Sequence, residues 1–101
     1  MAVAYLWTFE VAPGRTGDFE RVYGPDGEWA RLFARSAGYL GTELLKDSLR
    51  AGRYLTIDRW TSGSAFEAFK EEWKAEYAAL DQTCEVLTVS ETPLGAFNAG
   101  L

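Results

Sequence analysis

The chain has 101 residues, 48% of them hydrophobic and 25% charged, with ten Lys and Arg against fifteen Asp and Glu for a net charge of −5. That length suits one domain spanning 1–101 that buries a core without staples, and the acidic balance, with no basic run, argues against nucleic acid as a partner. Histidine is absent and Cys84 is the lone cysteine, which excludes His-ligated haem, His-based zinc or iron sites and Ser-His or Cys-His nucleophile pairs, and points to a reducing, cytoplasmic setting.

Residues 2–11 alternate, with Val3, Tyr5, Trp7, Phe9 and Val11 on one side and Ala4, Leu6 and Thr8 on the other. This predicts a strand and not a signal peptide. No apolar run approaches membrane-spanning length, so no membrane partner is expected. Pro13 and Gly14 end the strand. Thr16 then stands as an N-cap ahead of Asp18 and Glu20, and Phe19, Val22 and Tyr23 follow at helical spacing. Gly24-Pro25-Asp26-Gly27 interrupts that pattern before Trp29, Leu32 and Phe33 resume it, giving two short helices or one kinked helix. Such a break over a sheet could also gate a cavity. Gly38 is placed as the C-terminal cap.

Tyr39–Lys46 reads as a second strand, and Arg53–Trp60 as a third, joined through the turn formers of Asp47–Gly52 as a hairpin. The third strand sets Tyr54, Thr56, Asp58 and Trp60 on one side against Leu55, Ile57 and Arg59 on the other. Ser64 and Glu67 match the S-x-x-E capping box, opening a helix whose Phe66, Phe69, Trp73, Tyr77 and Leu80 form one stripe. Cys84–Val89 is expected as the fourth strand, with residues 92–101 an irregular tail. The order β-α-β-β-α-β predicts an α+β, ferredoxin-like fold with a four-stranded antiparallel sheet and its helices on one face. The other face then exposes an apolar patch, which a second copy packed sheet to sheet would cover as a homodimer.

Several features together resemble one family: the first strand leading to Pro13-Gly14, Phe19, the Ala37-Gly38-Tyr39-Leu40-Gly41 entry to the second strand, Tyr54-x-Thr56-x-Asp58-x-Trp60, and Ala65-Phe66-x-x-Phe69. They are similar, over residues 3–90, to the antibiotic biosynthesis monooxygenase (ABM)-like branch of the dimeric α/β-barrel superfamily. The resemblance implies a dimeric barrel and a small-molecule pocket. It also implies, in some members, cofactor-independent oxygenation of phenols and quinones of the aromatic polyketide type. Trp60 matches a tryptophan that lines the pocket in such oxygenases. Their asparagine on the same strand face is here Thr56, and a pocket tyrosine is replaced by Phe66. The haem-degrading branch uses a histidine that this chain lacks.

On the residues themselves, Thr56, Asp58 and Trp60 would share a cavity with Tyr5, Trp7, Tyr39 and Tyr54 if they face the helices. Trp29, Phe33, Phe66, Phe69 and Trp73 would complete the lining. A small aromatic ligand would stack there, with no metal and no cofactor expected. Asp58, desolvated among rings, would serve as a general base with Trp60 beside it. Asp58 can equally pair with Arg53 or sit at a dimer seam, and Trp29 and Trp73 can be plain core. Two readings therefore stand: a cofactor-independent monooxygenase, or a non-catalytic binding or assembly module of the same fold.

Overall fold

A computed structural model describes residues 1–101. The elements run β1 (Val3–Val11), α1 (Thr16–Tyr23), α2 (Glu28–Phe33), β2 (Tyr39–Lys46), β3 (Arg53–Trp60), α3 (Gly63–Glu72), α4 (Lys74–Cys84) and β4 (Thr88–Asn98). The four strands form one antiparallel sheet in the order β2-β3-β1-β4. Each helical crossover passes over one intervening strand, so the helices lie together on one face, and the fold is ferredoxin-like α+β. No helix is long and apolar enough to cross a membrane.

The parity of β3 is resolved by burial. Tyr54, Thr56 and Trp60 are 2%, 4% and 0% exposed beneath the helices, while Arg59 on the opposite parity is exposed. Facing Tyr54 across the sheet is Phe9, and facing Trp60 are Val3 and Tyr39. The inner face thus has large apolar rows at both ends. Between them lie the Thr56 and Asp58 rows, whose partners are Leu44 and Thr42 on β2 and Trp7 and Tyr5 on β1.

The helices depart from expectation at their ends. Helix α3 is capped by Ser62, two residues before the anticipated Ser64: the Ala65 N–H donates to Ser62 Oγ at 3.1 Å. Ser62 is extended, as an N-cap must be, which leaves Ser64 inside the first turn. Thr16 is likewise the first helical residue of α1, not its cap. The apolar stripe from Phe66 to Leu80 is divided between two helices at Trp73, whose φ of −110° and ψ of 30° turn the chain while the stripe continues on the same side. Gly38 does not cap α2, which ends at Phe33 with Ala34 as its C-cap. A Cβ on Gly38 would come within 2.6 Å of the Ala65 Cβ, so the glycine permits close approach of the start of β2 to α3.

The fourth strand is the main correction. Cys84 closes α4, a 3-10 turn covers Glu85–Leu87, and β4 pairs with β1 over Thr88–Asn98. The segment expected as an irregular tail is therefore mostly an edge strand. Its Pro93 and Gly95 fit that place. Pro93 lies beside the register shift between Leu6 and Trp7, and Gly95 adopts φ 130°. Proline and glycine of this kind belong to edge strands and bulges.

The Gly24–Gly27 segment separates α1 from α2, and it is a packed corner. A Cβ on Gly27 would lie 2.3 Å from the Val22 carbonyl oxygen and 2.4 Å from that of Arg21. Gly27→Ala forces backbone apart and is expected to lower stability by about 3 kcal/mol, at the upper end for overpacking. Urea unfolding of the variant checks this, and an unchanged midpoint would show that the corner relaxes freely.

Candidate active site

The aromatic side chains beneath the helices fall into two groups. Phe19 stacks on Tyr23 at 4.3 Å between centroids, with Phe9 and Tyr54 against them. Trp60 is surrounded by Phe33, Tyr39, Phe66 and Phe69. Trp29 bridges the groups, with its ring 6.2 Å from Tyr23 and 5.7 Å from Phe33. Where the sheet carries threonine and aspartate instead of large side chains, a space remains. It is a cavity of about 170 Å³ walled by Trp7, Phe9, Tyr23, Trp29, Phe33 and Tyr77, with Thr42, Thr56 and Asp58 as its polar floor. Asp81 on α4 and Glu91 on β4, both exposed, stand at its mouth.

Asp58 is the chemically distinctive group. Burial raises its carboxyl to about 6, against the opposing effect of a hydrogen bond from Thr42. Thr42 Oγ1 donates to Asp58 Oδ1 at 2.6 Å, and the Tyr39 hydroxyl lies 2.5 Å from Thr42 Oγ1. A threonine hydroxyl has one proton. When it goes to the carboxylate, Tyr39 must donate to Thr42; when Asp58 is protonated, the whole chain can reverse. Burial raises the Tyr39 hydroxyl above its ordinary value, so it stays protonated near neutral pH. The result is a base of near-neutral affinity at the end of a short hydroxyl relay.

Of the residues expected in the cavity, the structure brings together Trp7, Trp29, Phe33, Thr56 and Asp58. Trp60 and Phe69 are fully buried in the second aromatic group, with the half-buried Phe66 beside them, and none of the three is part of the lining. The place of Trp60 at the end of β3 puts it under α2 and α3, two rows from Thr56, so it supports the cavity wall through Phe33 and does not face the interior. Tyr5 packs on Phe66, and Tyr54 hydrogen-bonds to Glu20, which leaves both outside the lining. Trp73 lies under the Arg35 guanidinium, 4.8 Å from its ring centroid. Tyr39 is one hydrogen bond behind the floor.

Phe9, Tyr23, Thr42, Tyr77, Asp81 and Glu91 line the cavity without having been expected in it from the sequence. Tyr77 and Asp81 are one helical turn apart on α4, a spacing that was available. Thr42 becomes meaningful only through the β2–β3 register, which sets it opposite Asp58. Glu91 lies beyond the residues read as the fourth strand. No group of three or more His, Cys, Asp or Glu residues is arranged to hold a metal ion.

A ferredoxin-like sheet with its helices on one face and an aromatic cavity between the layers defines a class of small α+β proteins. Within it, the chain belongs to the antibiotic biosynthesis monooxygenase family, whose model matches residues 3–79. Among solved structures it is similar to SnoaB, a cofactor-independent oxygenase from Streptomyces nogalater, at 24% identity and a TM-score of 0.75, covering 99% of this chain and 94% of that one. A putative antibiotic biosynthesis monooxygenase from Bordetella bronchiseptica is 18% identical, with a TM-score of 0.75 over 99% of this chain and 98% of that one. A variant of MhuD with two manganese protoporphyrin IX bound per active site is 24% identical, with a TM-score of 0.72 over 98% of this chain and 95% of that one. No curated protein sequence matches the chain.

Proposed function

We propose that this protein is a cofactor-independent monooxygenase that converts a phenol to a quinone with molecular oxygen. The observation that carries this reading is Asp58, a carboxyl raised to about 6 on the floor of an aromatic cavity. Near neutral pH it is mostly ionised and placed to take a phenolic proton. The phenolate passes one electron to O₂, and the radical pair combines to form a C–O bond as a ring hydroperoxide. Loss of water breaks the O–O bond, leaving one oxygen on the ring and the other in water. The proton held by Asp58 makes the peroxide a hydroperoxide, and the hydrogen on the oxygenated ring carbon completes the water as its C–H electron pair forms the second carbonyl. Phenol and O₂ thus give quinone and water, with O₂ as oxidant and no external reductant.

The cavity sets the size of what is buried. An apolar cavity of about 150 Å³ holds a single benzene ring, so about 170 Å³ takes one ring here. A larger polycyclic substrate would enter by its terminal phenol, with the remainder passing between Asp81 and Glu91. Haem does not fit this site: no histidine is present to ligate iron, and a porphyrin exceeds a one-ring space.

The working unit in this proposal is a homodimer formed through the open sheet face, with residues 1–101 acting as one ABM-like domain. Leu6, Leu45, Leu55, Ile57 and Phe97 share that face, and Phe97 is 51% exposed. Pairs between Arg59 and Glu43, and between Arg50 and Glu10, flank the patch, an apolar centre with a charged rim. Strand β4 adds an edge of eleven residues that is exposed nearly throughout, which a soluble chain ordinarily covers. A buried, unpaired Cys84 fits a reducing cytoplasm.

Oxygen uptake with a panel of hydroquinone- and anthrone-type phenols tests the reaction. Turnover is expected in the wild type, and its loss in Thr56→Leu, where the added bulk fills the floor. Uptake no faster than the spontaneous rate across the panel would remove the oxygenase reading. Ligand binding without uptake would leave the binding-module reading, which the Thr56 and Phe66 departures from the oxygenase pattern favour.

A further inference from the structure

The charge of the cavity is one-sided. Its lining contains three carboxylates, Asp58, Asp81 and Glu91, and no Lys or Arg. Elsewhere the acidic side chains commonly find basic partners: Asp18, Glu20, Glu28, Glu43 and Asp47 are each within ion-pair distance of an arginine or lysine. None of the ion pairs reaches the three carboxylates of the cavity. Aromatic rings line the space they share. Tyr77 and Trp29 meet edge to face at 5.1 Å on the wall. Trp29 is only 8% exposed, and its indole nitrogen has no hydrogen-bond partner within the chain. The electrostatic strain shows at the rim: Glu91 is raised above its ordinary value by burial and by the neighbouring Asp81 and Glu85. Tyr77 is raised by burial and by Asp81, Asp58 and Glu91.

Aromatic faces combined with unpaired carboxylates form the environment that selects organic cations. An ammonium gains from both, while a carboxylate entering the same space is repelled, and the reduced dielectric of a partly enclosed site strengthens both effects. We infer that the occupant is a phenol bearing a protonated amine, its ring in the cavity with the hydroxyl toward Asp58 and its ammonium at the Asp81–Glu91 mouth. This rests on the reading of the cavity as a phenol site. It adds the charge that the substrate carries and the residues that recognise it.

Quenching of tryptophan fluorescence reports occupancy, because Trp7 and Trp29 are cavity walls. Three one-ring probes separate charge from shape: tyramine is cationic, 4-ethylphenol neutral and 4-hydroxyphenylacetate anionic. Tyramine is expected to bind at least tenfold more tightly than 4-ethylphenol and 4-hydroxyphenylacetate least tightly, with the spread narrowing as salt is added. The double variant Asp81→Asn/Glu91→Gln should bring the tyramine-to-ethylphenol ratio close to one. Equal binding of tyramine and 4-ethylphenol by the wild type overturns the inference and leaves the phenol site standing. An unaltered ratio in the double variant overturns the assignment to Asp81 and Glu91. Failure of all three probes to bind overturns both the inference and the phenol site on which it rests.

Discussion

Asp58→Asn is expected to abolish oxygen consumption, by about 100-fold or more, and at the same time to make the protein more stable. The two effects share one cause. Burial holds the Asp58 carboxyl at about 6 in the folded chain against an ordinary value of 3.8. Between about pH 4 and 6 the folded state therefore keeps a proton that the unfolded chain has released, and stability falls as pH rises through that window. Above it, the folded protein carries the full cost of a desolvated carboxylate. Asparagine carries no charge and can still accept the Thr42 hydrogen bond. The variant should match the wild type near pH 4, gain on it steadily, and exceed it by roughly 2–3 kcal/mol above pH 7. Urea unfolding at about pH 4, 6 and 8 measures the difference. A constant difference across that range would mean that Asp58 is solvated, and would remove the basis for its role as a base.

If the proposed dimer forms through the open sheet face, Ile57→Asp should convert it into monomers. Ile57 lies on the open face of β3, opposite Leu6 on one neighbour and Glu43 on the other. An aspartate there puts a charge at the centre of the apolar patch and beside an existing carboxylate, a like-charge contact that costs several kcal/mol when buried at an interface. The dimer dissociation constant is expected to rise by about 100-fold or more. Sedimentation should give the wild type twice the 11.2 kDa mass of the chain and the variant the single mass, with the circular dichroism of both alike. A wild type already monomeric at micromolar concentration would exclude this interface.

The elements that carry a single strong period were legible in the sequence. The alternation in Val3–Val11 and in Tyr54–Trp60 gave strands and sorted their side chains into two faces without saying which face the helices cover, and the break at Gly24–Gly27 allowed two short helices, as observed, or one kinked helix. Order and connection lengths then led to the sheet topology. The fourth strand was the exception, because Pro93, Gly95 and a mixture of polar residues deny it any apolar alternation. An edge strand exposed along its length has no buried face to impose one. The helix caps failed on a finer scale, since Ser62 and Ser64 offer the same hydroxyl and only backbone geometry chooses between them.

The site divides along similar lines. Asp58 and Thr56 were accessible from the strand pattern, because a carboxylate among inward aromatics is conspicuous. Trp60 was equally conspicuous and lies elsewhere, since a strand pattern gives the face of a residue but not which row the helices fill. The mouth depends on β4 and on α4 meeting it, and neither Asp81 nor Glu91 stands out until that meeting is known. Resemblance to a family could not supply the distinction, because fold and chemistry vary independently.

The short side chains of Thr42, Thr56 and Asp58 on the inner face have a consequence for how such a site can change. Its walls are the same rings that hold the helices to the sheet, so altering them disturbs the core. Its volume is set instead by what is absent from the sheet at Thr42, Thr56 and Asp58, and the charge at its mouth by two exposed residues on separate elements. Size and charge preference can thus vary independently of each other and of the scaffold. A change at Thr56 resizes the space, whereas a change at Asp81 or Glu91 alters the charge at its mouth.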